Sequence, residues 1–227
     1  MKRDVITSAI GIVVLTLLLG IVYPLFITGV SQVAFPGNAN GQQIYLHGKL
    51  VGSKIIGQSF EYQVGNKLTP TKGPLLRPDL KYFQTRPSAT GEPYVAGGTP
   101  DNAAGTTFSN LGPNSKATEV AIAANIAAYI ALDKAPNGTP YYPGGLTQGR
   151  VPVDAADSSA SGIDPQISVA NADIQAYRVA AVRGLPLAKV DSLISTYTSA
   201  RGLGFSGESG VDVLELNLAL DRLTGGS

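Results

Sequence analysis

Residues with catalytic potential are few in this chain, and most familiar catalytic sets are missing. The sole histidine is His47, beside Gly48. As a metal ligand or general base it needs partners that the sequence does not supply, so it reads as a turn residue. The absence of cysteine excludes disulfides and thiolate chemistry, whether metal or redox. The nucleophile motif G-x-S-x-G, a serine three residues before a lysine, the phosphate loop G-x-x-x-x-G-K-[ST] and zinc spacings are all absent. No catalytic residue and no metal site is therefore expected. What remains is a polar pattern on one helix, IQAYRVAAVRG, and a polar stretch before it, VPVDAADSSASGIDPQIS. Gln175 and Arg178 are three apart and share a helix face, with Arg183 further along. The pattern allows a docking or anion-binding face, and suits better an ordinary solvated face behind a serine-rich turn.

These residues need elements to hold them. Ser168 caps a helix ending at Gly184, and Pro186 opens another with Leu187, Val190, Leu193, Ile194 and Tyr197 at helical spacing. Gly202 is its expected stop. Asp212 and Glu215 form a capping box for a helix through Leu223. Upstream, an alanine-rich run predicts a helix over 116–134, capped by Asn114 or Ser115. Ile44, Tyr45 and Leu46 run to a turn at His47-Gly48, and Lys49, Leu50 and Val51 return as a β-hairpin. Prolines at 70, 74, 78, 87, 93, 100 and 113 predict loop with short strands over 63–113, and 136–149 is a second Pro/Gly loop. The class is α+β, with loop-rich insertions near 63–110 and 136–149.

The N-terminal stretch VITSAIGIVVLTLLLGIVYPLFITGV, residues 5–30, carries no charge. A bilayer core of about 30 Å needs about 20 apolar residues in a helix, so this segment is long enough to span. It also exceeds the apolar run of a secretory signal, and the cleavage options near Ala34 and Ala39 are poor, so an uncleaved anchor is expected. Lys2 and Arg3 precede it and no basic residue follows until Lys49, which predicts residues 1–4 in the cytoplasm. Residues 31–41 then form a connector, and 42–227 a single extracytoplasmic domain. Removing Lys2, Arg3 and Asp4 from the 17 basic and 16 acidic residues leaves fifteen of each, so no nucleic-acid partner is expected. These features suit an anchored interaction module in a cell membrane, with lipid around its anchor, rather than an enzyme.

Several blocks, in order, carry a family resemblance. GIVYPLFITGVSQVAFPGNANG, with Tyr23 and Pro24, resembles the anchor and connector of the C subunit of Kdp-type potassium-transporting P-type ATPases. GKLVGSKIIGQSF and YFQTRPSA, the latter with Arg86, Pro87 and Ser88, are similar to that family's next blocks, as is Asn110-Leu111-Gly112-Pro113. VPVDAADSSASGIDPQIS, with Ser159, Ser161, Gly162, Asp164 and Pro165, matches best, together with Gln175, Arg178 and Arg183. GFSGESGVDVLELNLALD resembles the C-terminal signature. Departures are the insertions at 63–80 and 141–149, the trio Ala155, Ala156 and Asp157, Gln166 where histidine is common, and Asp212 where asparagine is common.

The resemblance implies a non-catalytic accessory subunit of a high-affinity, ATP-driven potassium uptake complex. Its partners would be a channel-like potassium-binding subunit and a P-type subunit that hydrolyses ATP. It would support assembly, with its domain over the outer face of the channel-like subunit and no cofactor required. A second implied role is that of catalytic chaperone, in which Gln175 faces ATP and raises the pump subunit's affinity for it. Arg178 and Arg183 join it as candidates because guanidinium suits phosphate. An outward domain and cytoplasmic ATP are incompatible, so the two roles exclude each other. Outside the family, the alternative is a free-standing anchored binding domain or hydrolase.

Overall fold

The computed structural model describes residues 2–68, 74–87, 112, 114–202 and 204–225. The expected Ser88 and the 110–113 motif lie wholly or partly outside these residues. The chain divides into two compact units, Met1–Ile44 and Tyr45–Ser227.

The first unit is dominated by one helix, Lys2–Ala34, long and apolar enough to cross a membrane. It comprises α1 (Lys2–Leu17), a π-helical stretch (Leu18–Val22) and α2 (Tyr23–Ala34). Proline at the start of α2 explains the π turn. Pro24 has no N–H to return to the carbonyl four residues back, and a wider turn absorbs the mismatch, with Tyr23 N–H bonding to Leu18 O. Phe35 leaves the helical region ahead of Pro36, which opens the one-turn α3 (Pro36–Ala39). Gln32 and Asn40 then join their side-chain amides reciprocally at 3.2 and 3.1 Å, while Asn40 Nδ2 also donates to Pro36 O at 2.7 Å. The connector is thereby folded back on the end of its own helix.

Strands β1 (Gln43–Leu46) and β2 (Lys49–Ser53) pair across His47 and Gly48. Both turn residues have positive φ, 49° and 78°, the backbone that a tight two-residue hairpin demands. In the stretch expected to be loop with short strands, β3 (Glu61–Leu68) and β4 (Pro74–Pro78) form an antiparallel pair with a bulge. Its prolines sit at the two ends of β4, where a missing donor costs least.

Among the described residues the remaining elements are α4 (Lys116–Leu132), a 3-10 turn (Gln148–Arg150), α5 (Val153–Ala156), β5 (Gln166–Ser168), α6 (Val169–Arg183), α7 (Leu187–Thr196), β6 (Thr198–Ser199), β7 (Gly210–Asp212) and α8 (Val213–Thr224). Ser168 caps α6 by accepting from Asn171 N–H, and Gly184 ends it at φ 65°. Asp212 caps α8 through Glu215 N–H at 2.8 Å. The box is only half closed, because Asp212 N–H goes to Tyr197 O and Glu215 pairs with Lys54 at 2.6 Å. Helix α7 stops at Thr196 rather than Gly202, since Thr198 and Ser199 pair with Val211 and Gly210. Strands β5, β7 and β6 make an antiparallel sheet with β7 in the middle. That sheet and helices α6, α7 and α8 share one apolar core, built from residues such as Ile167, Val179, Val190, Val211, Leu216 and Leu220. The architecture is α+β behind one N-terminal candidate membrane helix.

Candidate functional site

Phe83 belongs to no helix or strand, yet it is 0% exposed and sits in this core. Burying a Phe ring contributes about 1.5–3 kcal/mol, but it drags main-chain polar groups inside with it. Side chains from α6 and α8 satisfy them. Asn217 on α8 accepts from Phe83 N–H at 2.9 Å and donates to Phe83 O at 3.0 Å. Gln175 on α6 repeats the device one residue on, accepting from Gln84 N–H at 2.7 Å and donating to Gln84 O at 3.0 Å. Arg178 donates through Nη1 to Leu80 O and to Tyr82 O, and Arg183 donates through Nε to Lys81 O at 2.6 Å. The N–H groups of Lys81 and Tyr82 go to Asp79 Oδ1 and Asp79 O. Every N–H and C=O of residues 81–84 is therefore paired, almost entirely by side chains.

The three helix residues that the sequence singled out thus meet on one peptide segment. Gln175 and Arg178 are buried, at 3% and 2% exposure, and neither presents a solvated surface. Gln175 Oε1 accepts twice, from Gln84 N–H and from Arg178 Nη2 at 2.7 Å; Nε2 donates twice, to Gln84 O and to Asn171 Oδ1 at 2.9 Å. That exhausts the hydrogen-bonding capacity of a carboxamide. Burial also pushes the Arg178 guanidinium down to about 10. Arg183 is anchored nearer the surface, with Nη2 on Asp221 Oδ1 at 2.8 Å and Nη1 on Thr224 Oγ1 at 2.9 Å. Its guanidinium lies 4.9 Å from the centre of the Tyr82 ring, and Tyr82 donates to Asp221 Oδ2 at 3.0 Å. Burial and the Asp221 carboxylate raise the Tyr82 phenol to about 12, so it stays protonated as that donor.

The network extends beyond the singled-out residues. Asn171 Oδ1 accepts from Tyr129 on α4 at 2.8 Å, and its Nδ2 donates to Asp154 Oδ2 at 3.0 Å. Asp154 in turn accepts from Ser168 N–H and Ser168 Oγ, both at 2.8 Å. Sequence reading missed Asn171, Asn217, Asp154 and Tyr129. The usable signal was an asparagine set into the apolar runs of α6 and α8.

The other motif residues gather elsewhere. Ser159 Oγ accepts from Gly162 N–H at 2.9 Å, Ser161 donates to Asp164 Oδ1 at 2.9 Å, and Gly162 takes φ 72° to close the turn. Arg86 reaches this turn through Asp164 at 3.5 Å and Asp157 O at 3.4 Å, with Pro87 next in the chain. Gly57 N–H donates to Ile163 O at 2.8 Å, and Pro165 O accepts from Val213 N–H at 3.2 Å. Tyr23 and Pro24 lie in the other unit, at the junction of the π turn and α2. Among the described residues, no cluster of acidic or histidine side chains could hold a metal ion.

Comparison with known proteins agrees with the order of these blocks. The family described as K+-transporting ATPase, c chain, matches residues 5–222. A protein of Mycobacterium bovis (strain BCG / Pasteur 1173P2) named potassium-transporting ATPase KdpC subunit is 40% identical over 223 residues, covering 98% of this chain and 100% of that one. A Koribacter versatilis protein of the same name is 41% identical over 97% of this chain and 95% of its own. Another from Polaromonas naphthalenivorans is 43% identical over 98% and 96%.

Proposed function

The chain belongs to the K+-transporting ATPase c chain family, and on that premise we propose that it is a non-catalytic accessory subunit supporting assembly of a potassium-uptake complex. Its partners are a channel-like potassium-binding subunit and a P-type subunit that hydrolyses ATP. The anchor packs in the membrane beside them, with residues 1–4 in the cytoplasm and residues 42–227 outside the cell. The charge pattern supports that orientation, because Lys2 and Arg3 precede the span and the next basic residue is Lys49. In this position the domain covers the outer face of the channel-like subunit and needs no nucleotide.

The observation that carries the reading is the saturation of Gln175. A side chain that faced ATP would keep donors or acceptors to offer it, but all four of this amide's hydrogen bonds go to protein. Gln175, Arg178 and Arg183 accordingly hold residues 80–84 in place and so shape the domain that meets the partner. Substituting Gln175→Ala in the assembled complex tests this against the nucleotide-chaperone role. The expected result is an unchanged apparent ATP affinity in complexes that retain the subunit, with the subunit's own melting temperature lowered by several degrees. A clear loss of ATP affinity in complexes that retain a folded subunit would reverse the choice.

A further inference from the structure

Arg178 brings a positive charge into the interior, and its hydrogen-bond partners are three neutral oxygens: Leu80 O, Tyr82 O and Gln175 Oε1. No carboxylate among the described residues forms a direct ion pair with it. A buried charge left to neutral partners is expensive, and of the two carboxylates whose charge acts on it, Asp79 and Asp133, Asp133 is the more deeply buried. Asp133, the residue ending α4, is 5% exposed. Its carboxylate accepts from Tyr142 N–H at 2.9 Å through Oδ1, and its main-chain oxygen accepts from Tyr141 N–H at 2.7 Å. Asp133 and Arg178 line the same small cavity, together with Tyr129, Leu146 and Ile174.

The cavity opens toward solvent, and its inner space of about 10 Å³ for a water centre is room for about one water molecule. Its polar walls are of the right kind. Asp133 has acceptor capacity beyond the Tyr142 bond, and Arg178 is a donor. Tyr129 gives its hydrogen to Asn171 and keeps a lone pair. The Gln175 amide, being saturated, competes for nothing there. We propose that this cavity holds one ordered water bridging the Asp133 carboxylate and the Arg178 guanidinium, which makes Asp133 the counter-charge of the clamp on residues 80–84. Burial raises the Asp133 carboxyl above its ordinary range, while Tyr142 N–H and the Arg178 charge pull it back down. The bridge also joins two regions far apart in sequence. Asp133 pins the start of the Pro/Gly loop, whose Tyr142 meets Tyr177 of α6 edge-on at 5.3 Å. Asp133 is thus a positioning residue: it fixes the loop directly and the clamp through Arg178.

Two measurements on the full-length chain in its complex test this. The first is a structure at a resolution that resolves waters. One density peak within hydrogen-bonding reach of Asp133 and Arg178 is expected; an empty site, or direct contact between the two side chains, overturns the proposal. The second is a thermal cycle of Asp133→Asn and Arg178→Met. Asp133→Asn keeps the shape and removes the charge, so it lowers the melting temperature by several degrees when Arg178 is present. In the Arg178→Met background no positive charge remains to be compensated, so the loss shrinks to less than half. Equal losses in both backgrounds overturn the pairing. If Arg178→Met does not fold, the water density decides alone.

Discussion

Asp212 caps α8 with a carboxylate, although an amide oxygen would accept the same bond from Glu215 N–H. Burial raises its carboxyl to about 6, against an ordinary value of about 3.9. A folded value above the unfolded one favours the protonated fold. The stabilisation is complete below the unfolded value and is lost as pH rises through about 6. Asp212→Asn should therefore be more stable than the parent at pH 7.5, by about 1–2 kcal/mol after allowing for partial solvent screening. The gap should narrow by about half as pH falls to 5 and close only below about pH 4, which thermal melts across that range will measure. At this scale the sequence was partly legible. Gln175, Arg178 and Arg183 stood out by type and spacing, but their partners are main-chain groups 91, 98 and 102 positions away, which no local pattern reports. Asn217 was overlooked for the same reason, since its partner Phe83 is 134 positions distant.

Between elements, the turn at 159–164 and the strand block before it meet with no room to spare. A methyl group on Gly57 would lie 2.3 Å from Asp164 O and 2.9 Å from Asp164 C, both main-chain atoms. Gly57→Ala must separate the two segments and lose the bond from Gly57 N–H to Ile163 O. The expected cost is about 2–3 kcal/mol, seen as a lower melting temperature. Gly149→Ala, where nothing stands within 4 Å, should change little and serves as the control. Elements with chemical end signals were readable from sequence, as Ser168, Gly184 and Asp212 show. Elements whose extent is set by distant pairing were not. Tyr197 looked helical by spacing, yet α7 stops before it because the next two residues join the sheet. Short strands were expected around β3 and β4, but their pairing was not legible, and the π turn was hidden by a hydrophobic run with no local marker except Pro24.

For the whole molecule, the long apolar N-terminal helix and the α+β fold were legible, because a long uncharged run and spaced caps are local signals. The side of the membrane on which the domain works rests on two basic residues, and the proposed role depends on it. The chain contains no cysteine, so a single one introduced at Val153, which is 78% exposed, provides a clean probe. Intact cells carrying Val153→Cys in the assembled complex are treated with a thiol reagent that cannot cross membranes. Labelling of intact cells is the result expected for an outer domain packed over the channel-like subunit. Labelling only after lysis would contradict that account and put the domain on the side where ATP is.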